Sequence, residues 1–126
     1  MSDIKFTEDH EWIRMDDAET GSCGISDYAQ DQLGELVFVE LPEVGQEVTQ
    51  GNETAVIESV KAAGEFKAPV SGTIVAVNEA LADEPETVNN NPLGDGWFIK
   101  IKLSDPSELD GLMDESTYQG YVEALD

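Results

Sequence analysis

The chain has 126 residues, with 28 acidic and 6 basic side chains and a formal net charge of −22. That length supports one domain spanning 1–126, with a core that needs no disulfide, and a surface this negative repels nucleic-acid phosphates and anionic lipid. The single Cys23 excludes an internal disulfide framework and a cysteine-rich metal site. No apolar run is long enough for a membrane span, and the opening Met1-Ser2-Asp3-Ile4-Lys5 resembles neither a secretory signal nor a transit peptide. The expected compartment is the cytoplasm. With 40% hydrophobic residues in regular patterns, the chain reads as folded rather than disordered. A carboxylate-rich surface is tolerable when salt shortens the Debye length to about 3 Å at 1 M, so the simplest source is a halophile with a salty cytoplasm, and the alternative is an ordinary acidic protein.

Residues 4–14 hold an opening strand and a turn, and Asp16 to Gly21 form a polar turn. Ser26 is placed as an N-cap, Asp27 sits in the first turn and Gly34 is a stop, which predicts a helix over 27–33. Val37, Val39 and Leu41 alternate with Phe38 and Glu40, a strand ended by Pro42. Gly45 and Gly51 bracket a turn around Val48. Strands are expected over 54–59 and 66–68, with Lys61 to Gly64 between them, and again over 73–77. Pro85, Asn89-Asn90-Asn91, Pro92, Gly94 and Gly96 predict a long loop over 82–96. Trp97, Ile99, Ile101 and Leu103 alternate with Lys100 and Lys102. Asp105-Pro106-Ser107-Glu108 reads as a capping box. Tyr118, Tyr121, Val122 and Leu125 recur at helical spacing near the C-terminus. The expected class is mainly β, a small sandwich with short peripheral helices and a C-terminal helix.

Against this background Lys61 stands out. No Lys or Arg occurs from Met15 to Val60, where 11 carboxylates do. A lone lysine is usually a solvated surface charge. This one lies between two strand-like segments, with Ser59, Ala62, Ala63 and Gly64 around it. A tight hairpin of small residues projects the amine outward, the geometry a carrier needs if an attached arm must enter other proteins' active sites. Tethering gives that arm a high effective concentration.

No other candidate gathers such support. His10 has no second histidine or cysteine pair with which to build a metal cluster, and the chain lacks a G-x-S-x-G elbow, a G-x-G-x-x-G loop and a Walker A sequence. His10 and Trp12 are expected to pack near the first strand, and Cys23 to be a small buried residue. No self-contained active site is evident.

These residues resemble the H-protein family of the glycine cleavage system from about Phe6 to the C-terminal helix. His10-Glu11-Trp12, Gly24 to Gln30, Leu33-Gly34-Glu35 and Phe38 to Gly45 carry the first half of the resemblance. Glu58-Ser59-Val60-Lys61-Ala62, Pro69-Val70-Ser71-Gly72, Asn89, Pro92, Gly94 and Gly96-Trp97 carry the second. Other lipoyl domains usually present Asp-Lys-Ala at the tip, and biotin carriers Met-Lys-Met. Gly64 to Lys67 departs from the family's more usual run, with Glu65 keeping the acid and Lys67 unexpected.

The resemblance implies a lipoyl/biotinyl-carrier-like β-sandwich (a barrel-sandwich hybrid) and lipoate joined by an amide to Lys61. It implies a carrier, not an enzyme. Its partners would be a pyridoxal-phosphate glycine decarboxylase, a tetrahydrofolate-dependent aminomethyltransferase, a dihydrolipoyl dehydrogenase and a lipoate-attaching enzyme, with the carrier itself monomeric. In this family the loaded arm folds into a surface cleft. By position Asp9, Glu11 and Glu65 are candidates to line it, since carboxylates suit a protonated amine; otherwise they are three more surface acids. Two other roles stay open at this level: lipoate relay to other lipoyl domains through the same lysine, and an unmodified acidic interaction module.

Overall fold

The computed structural model describes residues 4–125. Two antiparallel sheets enclose the main core. The larger joins β1 (Ile4–Phe6), β2 (Glu11–Met15), β3 (Thr20–Ile25), β9 (Ile99–Leu103), β8 (Gly72–Val77) and β5 (Glu47–Val48), in that spatial order. The smaller joins β4 (Leu36–Glu40), β6 (Glu53–Ser59) and β7 (Ala63–Lys67). Alternating residues from each sheet fill the space between them, among them Ile13, Ile57, Ile74, Ile99 and Ile101. Phe66 of the smaller sheet stacks on Phe98 at the start of β9, with ring centroids 5.0 Å apart. The mainly β sandwich with short helices and a C-terminal helix is therefore what the chain forms.

Helix α1 (Asp27–Leu33) falls where the sequence places it, and the Ser26 side chain accepts the Ala29 amide. Five expectations need correction. Strand β3 begins at Thr20, inside the stretch expected to be a polar turn, and its Gly24 lies close to the neighbouring strand, where a Cβ would stand 3.0 Å from the Trp12 indole. A bulge after Leu36 turns both Val37 and Phe38 outward, so β4 buries Leu36 and Val39 rather than alternating throughout. The supposed loop over 82–96 begins in one single-turn helix, α2 (Ala80–Asp83), and contains another, α3 (Thr87–Asn90), anchored by buried Leu81 and Val88. The capping box opens a 3-10 turn (Pro106–Gly111) in which Asp105 caps Ser107, but Glu108 instead receives the Ser71 amide at 2.6 Å. Before β9 it is Phe98 that is buried, and Trp97 is only half-buried.

Helix α4 (Glu115–Leu125) packs on β1 through a second cluster of Phe6, Trp12 and Tyr118. Phe6 and Tyr118 stack at 4.2 Å. Among the described residues no helix is long and apolar enough to cross a membrane.

Candidate functional site

Strands β6 and β7 pair down to Glu58 opposite Ala63, leaving Ser59 to Ala62 as the hairpin tip. Ser59 holds this turn. Its hydroxyl oxygen accepts the amides of Lys61 (3.1 Å) and Ala62 (3.0 Å), and its own amide donates to the Ala62 carbonyl (2.8 Å). The backbone that carries Lys61 is thus fixed while its side chain stands exposed. Lys67, Lys100 and Lys102 each lie within 4.0 Å of a carboxylate. Among the described residues Lys61 has no such partner.

The tip also leans on the corner between α1 and β4. The Val60 amide donates to the Glu35 carbonyl at 3.0 Å. Gly34 turns this corner at φ +83°, a conformation that favours glycine. A Cβ there would stand 3.2 Å from Cε of the exposed Lys61 side chain. Asn89, reaching across from α3, clamps the corner. Its amide nitrogen donates to the Gly34 carbonyl (2.8 Å) and Gln30 Oε1 (2.9 Å), and its oxygen accepts the Leu36 amide (2.9 Å). The sequence marks Gly34 as a helix stop and Ser59 as merely small. The ability of serine to cap backbone amides two or three residues on is the signal that anticipates its part in the turn.

Asp9 and Glu11 line one cleft of about 260 Å³, together with Thr7, Gln50, Ala68 and Leu112. The turn that delivers them is held in an unusual conformation, with His10 at φ +72°. The His10 ring packs among Tyr28, Tyr118 and Tyr121, and Nδ1 lies 2.7 Å from the Tyr118 hydroxyl. Burial lowers the pKa of this imidazole, against the opposing pull of Asp9. Glu11 is 3% exposed. Its carboxylate accepts the Thr7 hydroxyl at 2.7 Å and, at 3.4 Å, the Lys67 amide. Glu65 lies apart from this cleft. It is exposed and lines a neighbouring depression of about 370 Å³ with Glu40 and Glu53, and its hydrogen bond with Glu53 raises its pKa. Lys67 stands between the two groups: it lies 4.0 Å from Asp9, and its charge opposes the rise at Glu65.

Burial pushes the Glu11 carboxyl from its ordinary 4.5 up to about 7, with the Thr7 hydroxyl opposing the shift. The folded chain therefore keeps a proton that the unfolded chain releases above pH 4.5. Stability associated with this group is full below about 4.5 and is lost as pH rises to about 7, by up to about 3 kcal/mol. Glu11→Gln keeps an acceptor for Thr7 and carries no charge. Thermal melts at pH 5 and pH 8 should show a smaller drop for Glu11→Gln than for the parent; parallel curves would show that Glu11 does not titrate in this window.

The comparisons with known proteins agree with this geometry. The family model for the glycine cleavage H-protein matches residues 4–125. A glycine cleavage system H protein of Parvibaculum lavamentivorans is 58% identical over 125 residues, covering 99% of each chain. One from Beijerinckia indica is 60% identical over 99% of this chain and 100% of its own. The crystal structure of a glycine cleavage system H protein from Mycobacterium marinum superposes with a TM-score of 0.87 at 36% identity, covering 96% of this chain and 97% of that one. A match over nearly the whole chain in family pattern, relatives and fold has one meaning: the chain belongs to the glycine cleavage H-protein family.

Proposed function

We propose that Lys61 is the residue that receives the lipoyl group, and that the protein works as one domain, a lipoyl carrier of the glycine cleavage system rather than an enzyme. Proteins of this family carry lipoate covalently on a lysine. The observation that carries the assignment is the exposed amine at a fixed hairpin tip, with the Gly34 gap beside its stem. When bound, lipoate supplies a disulfide–dithiol pair able to take up and release a one-carbon amine. The chain's own contribution is positional. Ser59 and the Val60–Glu35 bond hold the root of the arm, and Gly34 places no side chain against the stem.

The protein would carry the aminomethyl group of glycine from a pyridoxal-phosphate decarboxylase to a tetrahydrofolate-dependent aminomethyltransferase, then meet a dihydrolipoyl dehydrogenase. Asp9 and Glu11 are the proposed acceptors for the ammonium of the loaded arm, with Glu65 beside the route. The burial of Glu11 supports this, because a charge there is poorly screened and an ammonium would restore its ionised form. The test is direct. Lipoate-loaded protein mixed with the decarboxylase and glycine should gain an aminomethyl group, and protein without lipoate should not. Gain without lipoate would overturn the reading.

A monomer acting in the cytoplasm of a salt-adapted cell fits a net charge of −22. The ion pairs Lys67–Asp9, Lys100–Asp16 and Lys102–Glu19 span 3.9–4.0 Å and are largely exposed, so each contributes little. Repulsion among unpaired carboxylates then dominates and salt relieves it. The melting temperature should rise from low to molar potassium chloride. A flat or falling curve would rule out salt adaptation and leave the carrier assignment standing.

A further inference from the structure

The outer face of the smaller sheet runs directly up to the lysine tip. In register it carries the row Phe38–Glu58–Ala63 and, one step further from the tip, the row Glu40–Val56–Glu65. All six are exposed. A β-strand face open to water is expected to be polar, yet Phe38 is 43% exposed and Val56 38%, while Val60 at the tip is 65% exposed. Phe38 is outward because of the β4 bulge, which spends a large aromatic on solvent instead of core. No lysine or arginine lies in either row. Phe38 on the outer strand β4 and Val56 on the middle strand β6 are diagonal neighbours on this face, and Glu40, Glu58 and Glu65 stand beside them.

We propose that this face is the docking surface for the enzyme that attaches lipoate to Lys61, with Phe38 as its anchor. The proposal rests on Lys61 being the acceptor. The decarboxylase used in the test below meets an arm that reaches beyond the lysine side chain, and can act with the body of the carrier further away. The attaching enzyme meets only the bare lysine. Its active site must come within one side-chain length of the hairpin, so its surface is forced against whatever adjoins the tip. On this side that is the face carrying Phe38 and Val56. The matching surface is a shallow apolar pocket for a phenyl ring, surrounded by Lys and Arg side chains that meet the three carboxylates. A second copy of this chain does not fit, because it would bring like charges together.

The experiment compares Phe38→Ser, Val56→Thr and, as a control on another sheet, Val75→Ser, which replaces a valine 43% exposed on β8. Attachment is measured with a lipoate–protein ligase, lipoate and ATP. Each protein is then loaded to completion and its glycine-dependent aminomethylation by the decarboxylase is measured. Phe38→Ser should lower kcat/KM for attachment about ten-fold, mostly through KM, and Val56→Thr should lower it less. Val75→Ser should match the parent, and all loaded proteins should aminomethylate alike. Attachment at the parent's rate for Phe38→Ser, or an equal loss for Val75→Ser, overturns the docking surface alone. A parent that takes no lipoate on Lys61 overturns the acceptor assignment and this inference with it. A melt of Phe38→Ser matching the parent's excludes misfolding as the cause of a loss.

Discussion

Lys61→Arg should fold with the parent's stability and have no carrier activity at all. The side chain is exposed and, among the described residues, has no carboxylate within ion-pair distance. Replacing one surface cation with another therefore changes stability by no more than about 0.5 kcal/mol. Chemically the change is complete. A guanidinium stays protonated in any usable pH range and does not form the amide that an amine forms. Thermal melts of parent and variant should overlap, while glycine-dependent aminomethylation should fall to background. Residual loading of the variant would place the arm on another lysine. Lys67 is the nearest alternative along the chain, but it is half-buried at the end of β7 and faces Asp9.

Asn89→Ala should produce the largest loss of stability among substitutions near the tip. Asparagine there fills three hydrogen bonds between α1, β4 and α3, with distances of 2.8–2.9 Å. Alanine leaves the amide of buried Leu36 and the Gly34 carbonyl without partners. Unsatisfied groups of this kind cost about 1–3 kcal/mol each, so the expected total is about 2–4 kcal/mol. The consequence extends to function, because the same corner supplies the Glu35 carbonyl that holds Val60. Denaturant unfolding gives the stability change. Hydrogen exchange at the Val60 amide tests the coupling: exchange should quicken in Asn89→Ala, and unchanged protection would separate the clamp from the tip. Asn89→Asp preserves the acceptor for Leu36 but sets a carboxylate against two oxygens, so it should not rescue the parent's stability.

The sequence made the hairpin and its lysine legible because their signals are local. Alternation, glycine turns and one cation in a long acidic stretch are readable within a few residues. Helix α1 was legible for the same reason, with Ser26 and Gly34 marking its ends. Strand β3 was not. Its glycines carry no strand signal, and the Trp12 ring that packs beside Gly24 comes from the neighbouring strand. The outward turn of Phe38 was equally hidden, since a bulge shifts register without altering composition. Of the proposed cleft, Asp9 and Glu11 are two residues apart on one turn, and the structure brings them to one cavity. Glu65 was read on the same footing, but its closest carboxylate is Glu53 across the strand pair. The clamp by Asn89 spans more than fifty residues of chain, a distance that no local pattern bridges.

The central claim is that one lysine, at one hairpin tip, carries the arm. Protein isolated from its native host should be digested and its lysine-containing peptides mapped by mass spectrometry. The account predicts a lipoyl group on the peptide containing Lys61 and none on those containing Lys5, Lys67, Lys100 or Lys102. Lipoate on any of these four with Lys61 bare, or no lipoate in cells actively catabolising glycine, would contradict it.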